Sequence, residues 1–203
     1  MAIRSLFVTK LYEARLPRAA ALNFELAHAM RVTARDDGAG RRWSAEKNYP
    51  GYTSYASLND LSWRAPAFAT LQAALDEHVA LFARELDFDL GGRALSLDSL
   101  WINIVESGGQ HTGHIHPHSV ISGVYYVELP EGAGGLKLED PRLAMMMAAP
   151  PRKARAAPEQ RTFHYARPRA GDILLWESWL RHETEPNQAK ADRLSVSFNY
   201  KWG

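Results

Sequence analysis

The segment HTGHIHPHS, His111 to Ser119, holds four of the chain's eight histidines within eight residues. His114, His116 and His118 are spaced two apart, so on extended backbone their imidazoles project to one side, as a metal site requires. A further ligand must come from elsewhere, and His182 in WLRHETEPN, 66 residues beyond His116, is the outstanding candidate. First-row metals such as iron accept imidazole readily, and an open site needs only three protein ligands, so that substrates take the other positions. Eleven residues after His182 stands Arg193, at the head of RLSVSFNY. On a strand, Arg193, Ser195 and Ser197 share a face, and a guanidinium followed by hydroxyls forms a forked cradle for a carboxylate. A metal beside a carboxylate clamp points to an organic-acid cosubstrate. In SGVYYVE, alternation groups Ser122, Val124 and Tyr126 on one face, and Tyr126 is expected to face the site.

These residues need a scaffold, and the chain has the composition of a folded, soluble domain: 203 residues, 46% apolar and 23% charged. One domain is expected over 1–203, with 1–93 as an N-terminal strand and helical support and 94–203 as the core that carries the site. The absence of cysteine excludes disulfides, iron–sulfur clusters, thiolate zinc sites and cysteine nucleophiles. A net charge of +1 gives no reason to invoke nucleic acid or a membrane surface. No apolar run reaches signal-peptide or membrane-span length, which suggests a cytoplasmic protein.

Ser5 to Leu16 reads as an early strand ended by Pro17. Arg18 to about Arg35 has helical spacing in Leu22, Leu26, Ala29, Met30 and Val32, and DDGAG stops it. An aromatic loop follows, with a turn at Pro50–Gly51, and then a second amphipathic helix from Phe68 to Leu86. His28 and His78 on these helices, and His164 later, are read as surface or satisfied core residues. From Ala94 onward short β-type runs alternate with Gly, Pro and Asn, which predicts a mainly β fold with N-terminal helices: a jelly roll flanked by two or more helices. The histidine cluster falls between two of these runs, WINIV and SGVYYVE. Arg142 to Arg169 carries seven Lys or Arg against one Glu and reads as a solvated loop or, alternatively, a basic lid; Met145 to Arg161 is expected to be mobile and to order on substrate binding. The aromatic loop from Trp43 to Tyr55 is a plausible cavity wall.

WINIVESGGQHTGHIHPHSVISGVYYVELPEG, LEDPR, RAGDILLWESWLRHETEPN and RLSVSFN together resemble the 2-oxoglutarate and iron(II)-dependent oxygenases, a resemblance that extends over nearly the whole chain. It implies a double-stranded β-helix core and dioxygenase activity, with a small-molecule or peptide substrate and O2. It also implies iron(II) held by His114, His116 and His182, and 2-oxoglutarate held through Arg193. Asn103, eleven residues before His114, matches an Asn that touches the cosubstrate in several relatives, and Ser195 and Tyr126 are further matches. Pro117 after His116 fits the family's HxHP pattern, which favours His114/His116 over the equally spaced His116/His118 as the metal pair. His111 and His118 then become outer or substrate-facing groups.

The resemblance implies an H-x-[acid or His] pair, and at His116 the chain departs from the usual iron triad of two His and one carboxylate, whose acid stands at this position. An imidazole there leaves the metal one unit more positive. Glu106, Glu128 and Asp140 are the nearest acids in sequence and could restore a carboxylate only if the fold brings one in. Two other readings follow: a cupin-like three-histidine dioxygenase without 2-oxoglutarate, and a non-catalytic metal- or sugar-binding jelly-roll module.

Overall fold

A computed structural model describes residues 1–203. The strands are β1 (Tyr12–Arg15), β2 (Gly51–Thr53), β3 (Ser96–Val105), β4 (Ile121–Glu128), β5 (Leu136–Glu139), β6 (Phe163–Ala166), β7 (Asp172–Glu177), β8 (His182–Thr184) and β9 (Arg193–Lys201). The helices are α1 (Ala19–Asp36), α2 (Gly38–Glu46), α3 (Leu61–Arg64) and α4 (Pro66–Glu85). A six-stranded sheet in the order β1-β7-β4-β9-β3-β2 accompanies a three-stranded sheet, β6-β5-β8, and the pairings within both are antiparallel. The expected jelly roll with N-terminal helices is therefore the architecture found. No helix is long and apolar enough to cross a membrane.

Alternation along the central strands divides the large sheet into two chemically different faces. Leu194, Val196, Phe198 and Tyr200 of β9, with Leu100, Ile102 and Ile104 of β3, join Leu26 and Met30 of α1 and Leu71, Leu75, Val79 and Phe82 of α4 in one buried cluster. Each such side chain contributes about 1.5–3 kcal/mol when fully buried, so this helix-facing layer anchors the sheet. The opposite face of β9 carries Arg193, Ser195, Ser197 and Asn199, three of them buried. Buried polar side chains on a central strand are costly unless something satisfies them.

The boundaries differ from the sequence expectations in three places. Only Tyr12–Arg15 of the expected early strand pairs, with β7; the residues before it make no ladder. DDGAG ends α1 as expected, but the chain restarts at once as α2, because Asp37 caps it by accepting from the Gly40 N–H at 2.9 Å. The expected aromatic loop thus contains a helix and the edge strand β2. Gly51 enters β2 with φ +114°, and a Cβ there would meet the Ile104 carbonyl at 2.2 Å, so only glycine lets the chain lie against β3. β1 and β2 show that the N-terminal third completes the large sheet as well as backing it.

Asp37 also accepts from the Tyr52 hydroxyl at 2.8 Å and the Ser57 hydroxyl at 2.5 Å, pinning α2 to the segment after it. Asp37→Ala should therefore lower stability by about 2–3 kcal/mol, since it removes a cap and strands two hydroxyls. Denaturant titration with an unchanged m-value checks this.

Candidate metal centre

The loop between β3 and β4 is laid against β8 by backbone bonds. The His114 N–H donates to the His182 carbonyl at 2.9 Å and the His182 N–H returns to His114 at 3.0 Å, forming one antiparallel bridge. On either side, the Thr184 N–H donates to His111 (3.1 Å) and the His116 N–H to Ser178 (3.0 Å). This clamp joins residues 62 to 73 apart in sequence, and it brings nitrogens of His114, His116 and His182 all within 4.8 Å of one another. His118, at φ 70° and exposed, lies outside the group.

The imidazole tautomers suit a metal. His182 Nδ1 lies 2.9 Å from the Leu180 carbonyl and His114 Nδ1 lies 2.7 Å from the Thr112 carbonyl, so each Nδ1 carries the proton and each Nε2 keeps its lone pair. His116 Nε2 stands 3.3 Å from His182 Nε2. Two nitrogens bound at about 2.1 Å to one ion, at right angles, lie about 3 Å apart, so the residues fit a cation. No carboxylate joins them: Glu106 is exposed, Glu128 pairs with Arg31, and Asp140 pairs with Arg142. The ligand set available is three imidazoles.

Burial, reinforced by neighbouring His114, pushes His182 down to about 3 and His116 to about 4 from the ordinary 6.5. Burial and the Arg193 charge push His111 to about 3. These folded-state values lie below the unfolded value, so the folded chain refuses protons that the unfolded chain accepts. The metal-free protein should consequently lose stability as pH falls from about 6.5 toward 4, with no such effect above 6.5. Metal loading should raise stability and leave the onset near 6.5 while extending the decline to lower pH, because bound nitrogens resist protonation further; thermal unfolding across this range reads both.

The histidines open onto a cavity of about 750 Å³, within the range of small-molecule pockets. Arg193, Ser195, Asn103 and Tyr126 all line it, so the structure brings together all of the site residues expected from sequence. Arg193 is 1% exposed, and its partners are neutral: Nη1 donates to the Gly134 carbonyl at 3.1 Å and Nη2 to the Thr184 hydroxyl at 3.3 Å. Its Nε has no partner. Burial lowers its pKa, opposed by Tyr126 and Tyr49, and no carboxylate of the chain compensates the charge. A buried guanidinium with unused donors is the site's clearest demand for an anion.

Three residues were not singled out by sequence reasoning. The Thr184 hydroxyl takes the Arg193 bond and also the His111 N–H at 2.8 Å; its place two residues after His182, on the same strand face, was the available signal. The Tyr49 and Thr53 hydroxyls both donate to Asn103 Oδ1 at 3.1 Å, while Asn103 Nδ2 donates to the Ser197 hydroxyl at 2.9 Å. Tyr49 also bonds His111. No spacing rule links these residues, because β2 reaches the site only through its pairing with β3. His78, by contrast, is satisfied by the Tyr12 hydroxyl at 2.7 Å, and His28 is exposed.

The basic segment does not cover the histidine cavity in this structure, where no substrate is bound. No residue of 142–169 lines the histidine cavity; Arg142, Pro158 to Arg161 and His164 instead border a separate cavity with residues 3–13. The aromatic loop does line the histidine cavity, through Trp43, Tyr49 and Tyr55.

A family model described as "Putative 2OG-Fe(II) oxygenase" matches residues 99–199. No curated protein sequence matches the chain. Among solved structures, a prolyl-4-hydroxylase of Pseudomonas putida is similar with a TM-score of 0.61 and 18% identity, covering 95% of this chain and 93% of that one. A prolyl hydroxylase of Trichoplax adhaerens, solved with a hypoxia-inducible-factor peptide, gives 0.63 and 13%, covering 95% and 83%. HygX of Streptomyces hygroscopicus, solved with nickel and 2-oxoglutarate, gives 0.58 and 15%, covering 95% and 82%. At these identities the likeness is one of fold, a double-stranded β-helix.

Proposed function

Because this chain belongs to the 2OG-Fe(II) oxygenase family, we propose that His114, His116 and His182 hold its iron(II) and that Arg193 holds the distal carboxylate of 2-oxoglutarate. The protein is an iron(II)- and 2-oxoglutarate-dependent oxygenase, and the family's chemistry implies a small-molecule or peptide substrate and O2. When bound, iron(II) and 2-oxoglutarate supply the oxidation: O2 is consumed, the cosubstrate loses CO2 to give succinate, and one oxygen atom enters a substrate C–H bond. The finer reading is a hydroxylase.

The observation that carries the cosubstrate assignment is Arg193, buried and uncompensated in the cavity that the three histidines also line. Its fork and the neighbouring Ser195 and Tyr126 hydroxyls hold a carboxylate at one end. Asn103, with its oxygen occupied by Tyr49 and Thr53, turns its amide nitrogen toward Ser197 and the cavity. The Nδ1 bonds of His114 and His182 leave both Nε2 lone pairs free, so these nitrogens would hold the metal. We read residues 1–203 as one working unit, because β1 and β2 complete the sheet that carries the site, and as acting in the cytoplasm.

The three-imidazole set favours a second reading, a cupin-like dioxygenase whose organic substrate binds the metal directly. That reading leaves Arg193 without a task unless the substrate is itself a carboxylate, and a sugar-binding module leaves it none. Anaerobic reconstitution with iron(II) and 2-oxoglutarate, followed by O2 and a succinate measurement, should give succinate from the native protein. No succinate from fully metallated protein, across a panel of candidate substrates, rejects the proposal.

A further inference from the structure

The cavity is larger than a five-carbon diacid needs, and its end remote from Arg193 is chemically different. Arg193 sits opposite Val105 on the β3–β9 ladder, while Trp101 sits opposite Ser197, four residues along and hence about 13 Å away. From Trp101 a chain of rings leads outward: Tyr55 meets it edge-on at 5.2 Å between centroids, and Trp43 lies 6.3 Å beyond Tyr55. Inward, Trp101 lies 5.8 Å from the His116 ring, so the wall runs from the metal ligands to the surface. Tyr55 is 57% exposed, leaving ring surface free. Asp98, the acid at this end, is paired with Lys201 at 2.9 Å.

Charge then limits what this wall can take. Three neutral imidazoles hold the metal, with no carboxylate among them. Iron(II) and the 2-oxoglutarate dianion cancel, so the filled centre keeps the positive unit of Arg193, where a triad with an acid would be neutral. A cation entering the cavity is repelled by that charge. An anion is attracted by it but meets the electron-rich faces of the ring wall, and neither ion finds a free counter-charge there.

We propose that the substrate presents an uncharged ring to the Trp43–Tyr55–Trp101 wall, which makes Tyr55 a specificity-determining residue; this rests on the oxygenase reading above. An aromatic wall beside acids would suit ammonium groups, but here the positive unit that an imidazole at His116 leaves uncancelled disfavours them.

The test uses three probes of one shape: cyclohexanecarboxamide, cyclohexanecarboxylate and cyclohexylammonium. The protein is loaded with zinc(II), which has the charge of iron(II) without its redox chemistry, and with saturating 2-oxoglutarate; dissociation constants come from NMR titration. The carboxamide should bind at least about fivefold tighter than either ion, and Tyr55→Ala should weaken it roughly three- to tenfold. His116→Asp, which removes one positive unit, should narrow the gap between carboxamide and ammonium at least about threefold. The proposal is overturned if the ammonium or the carboxylate binds best, if none of the three binds, or if a folded Tyr55→Ala leaves the carboxamide constant unchanged. Failure of 2-oxoglutarate itself to bind the zinc form would instead reject the oxygenase reading.

Discussion

Arg193→Leu should lower 2-oxoglutarate affinity by roughly two to three orders of magnitude while leaving metal affinity unchanged. Truncating one partner of a buried, hydrogen-bonded charge pair costs about 2–5 kcal/mol, because the other charge is left buried and alone. The same substitution should not destabilise the ligand-free protein. There the guanidinium is 1% exposed and bonded only to a carbonyl and a hydroxyl, so its charge is desolvated without compensation. Thermal unfolding should therefore show a melting temperature equal to or above that of the native protein without ligand, and loss of the rise that 2-oxoglutarate gives. Arg193→Lys keeps the charge but not the fork and should fall between the two. Calorimetric titration of the metallated variants measures the affinities, and an undiminished 2-oxoglutarate constant in Arg193→Leu would refute the assignment.

His182→Ala should weaken metal binding by roughly a hundredfold or more, whereas His118→Ala should leave it unaltered. Loss of a group that merely orients a ligand costs about 10–100-fold, and loss of a ligand should cost at least as much. His182 is 4% exposed and lies at the end of the small sheet, so alanine there also leaves a polar gap. His182→Gln, closer in volume, separates that effect from the loss of coordination. Equal losses from His118→Ala would mean that the exposed histidine, not His114, completes the pair.

The residue types and their order along the chain made the metal set and the guanidinium legible: two histidines two apart, a distant third, and an arginine at the head of an alternating strand. What gathers them was not legible. The paired bonds between His114 and His182 join a loop to a three-residue strand, and neither partner has a pattern that announces the other. The helices were readable because periodicity over 18 or 20 residues averages out local exceptions. Ser5 to Leu11 has strand composition but no neighbour to pair with, so β1 is shorter than its composition suggests, and the glycine-rich stop signal after α1 conceals the capped start of α2. Tyr49 and Thr53 act through edge pairing, a contact that depends on register between distant segments.

The Asp37 carboxylate, at once a cap and a pin, marks the start of a portable part. Between it and Asn59 the chain supplies Trp43 and Tyr55 to one end of the cavity and Tyr49 and Thr53 to the other, yet provides no metal ligand. Its backbone joins the large sheet along one rim, through β2 and the flanking Pro50 and Ser54. Transplanting residues 37–59 as a cassette should therefore rewrite substrate choice and retune cosubstrate grip together, with the three candidate metal ligands untouched.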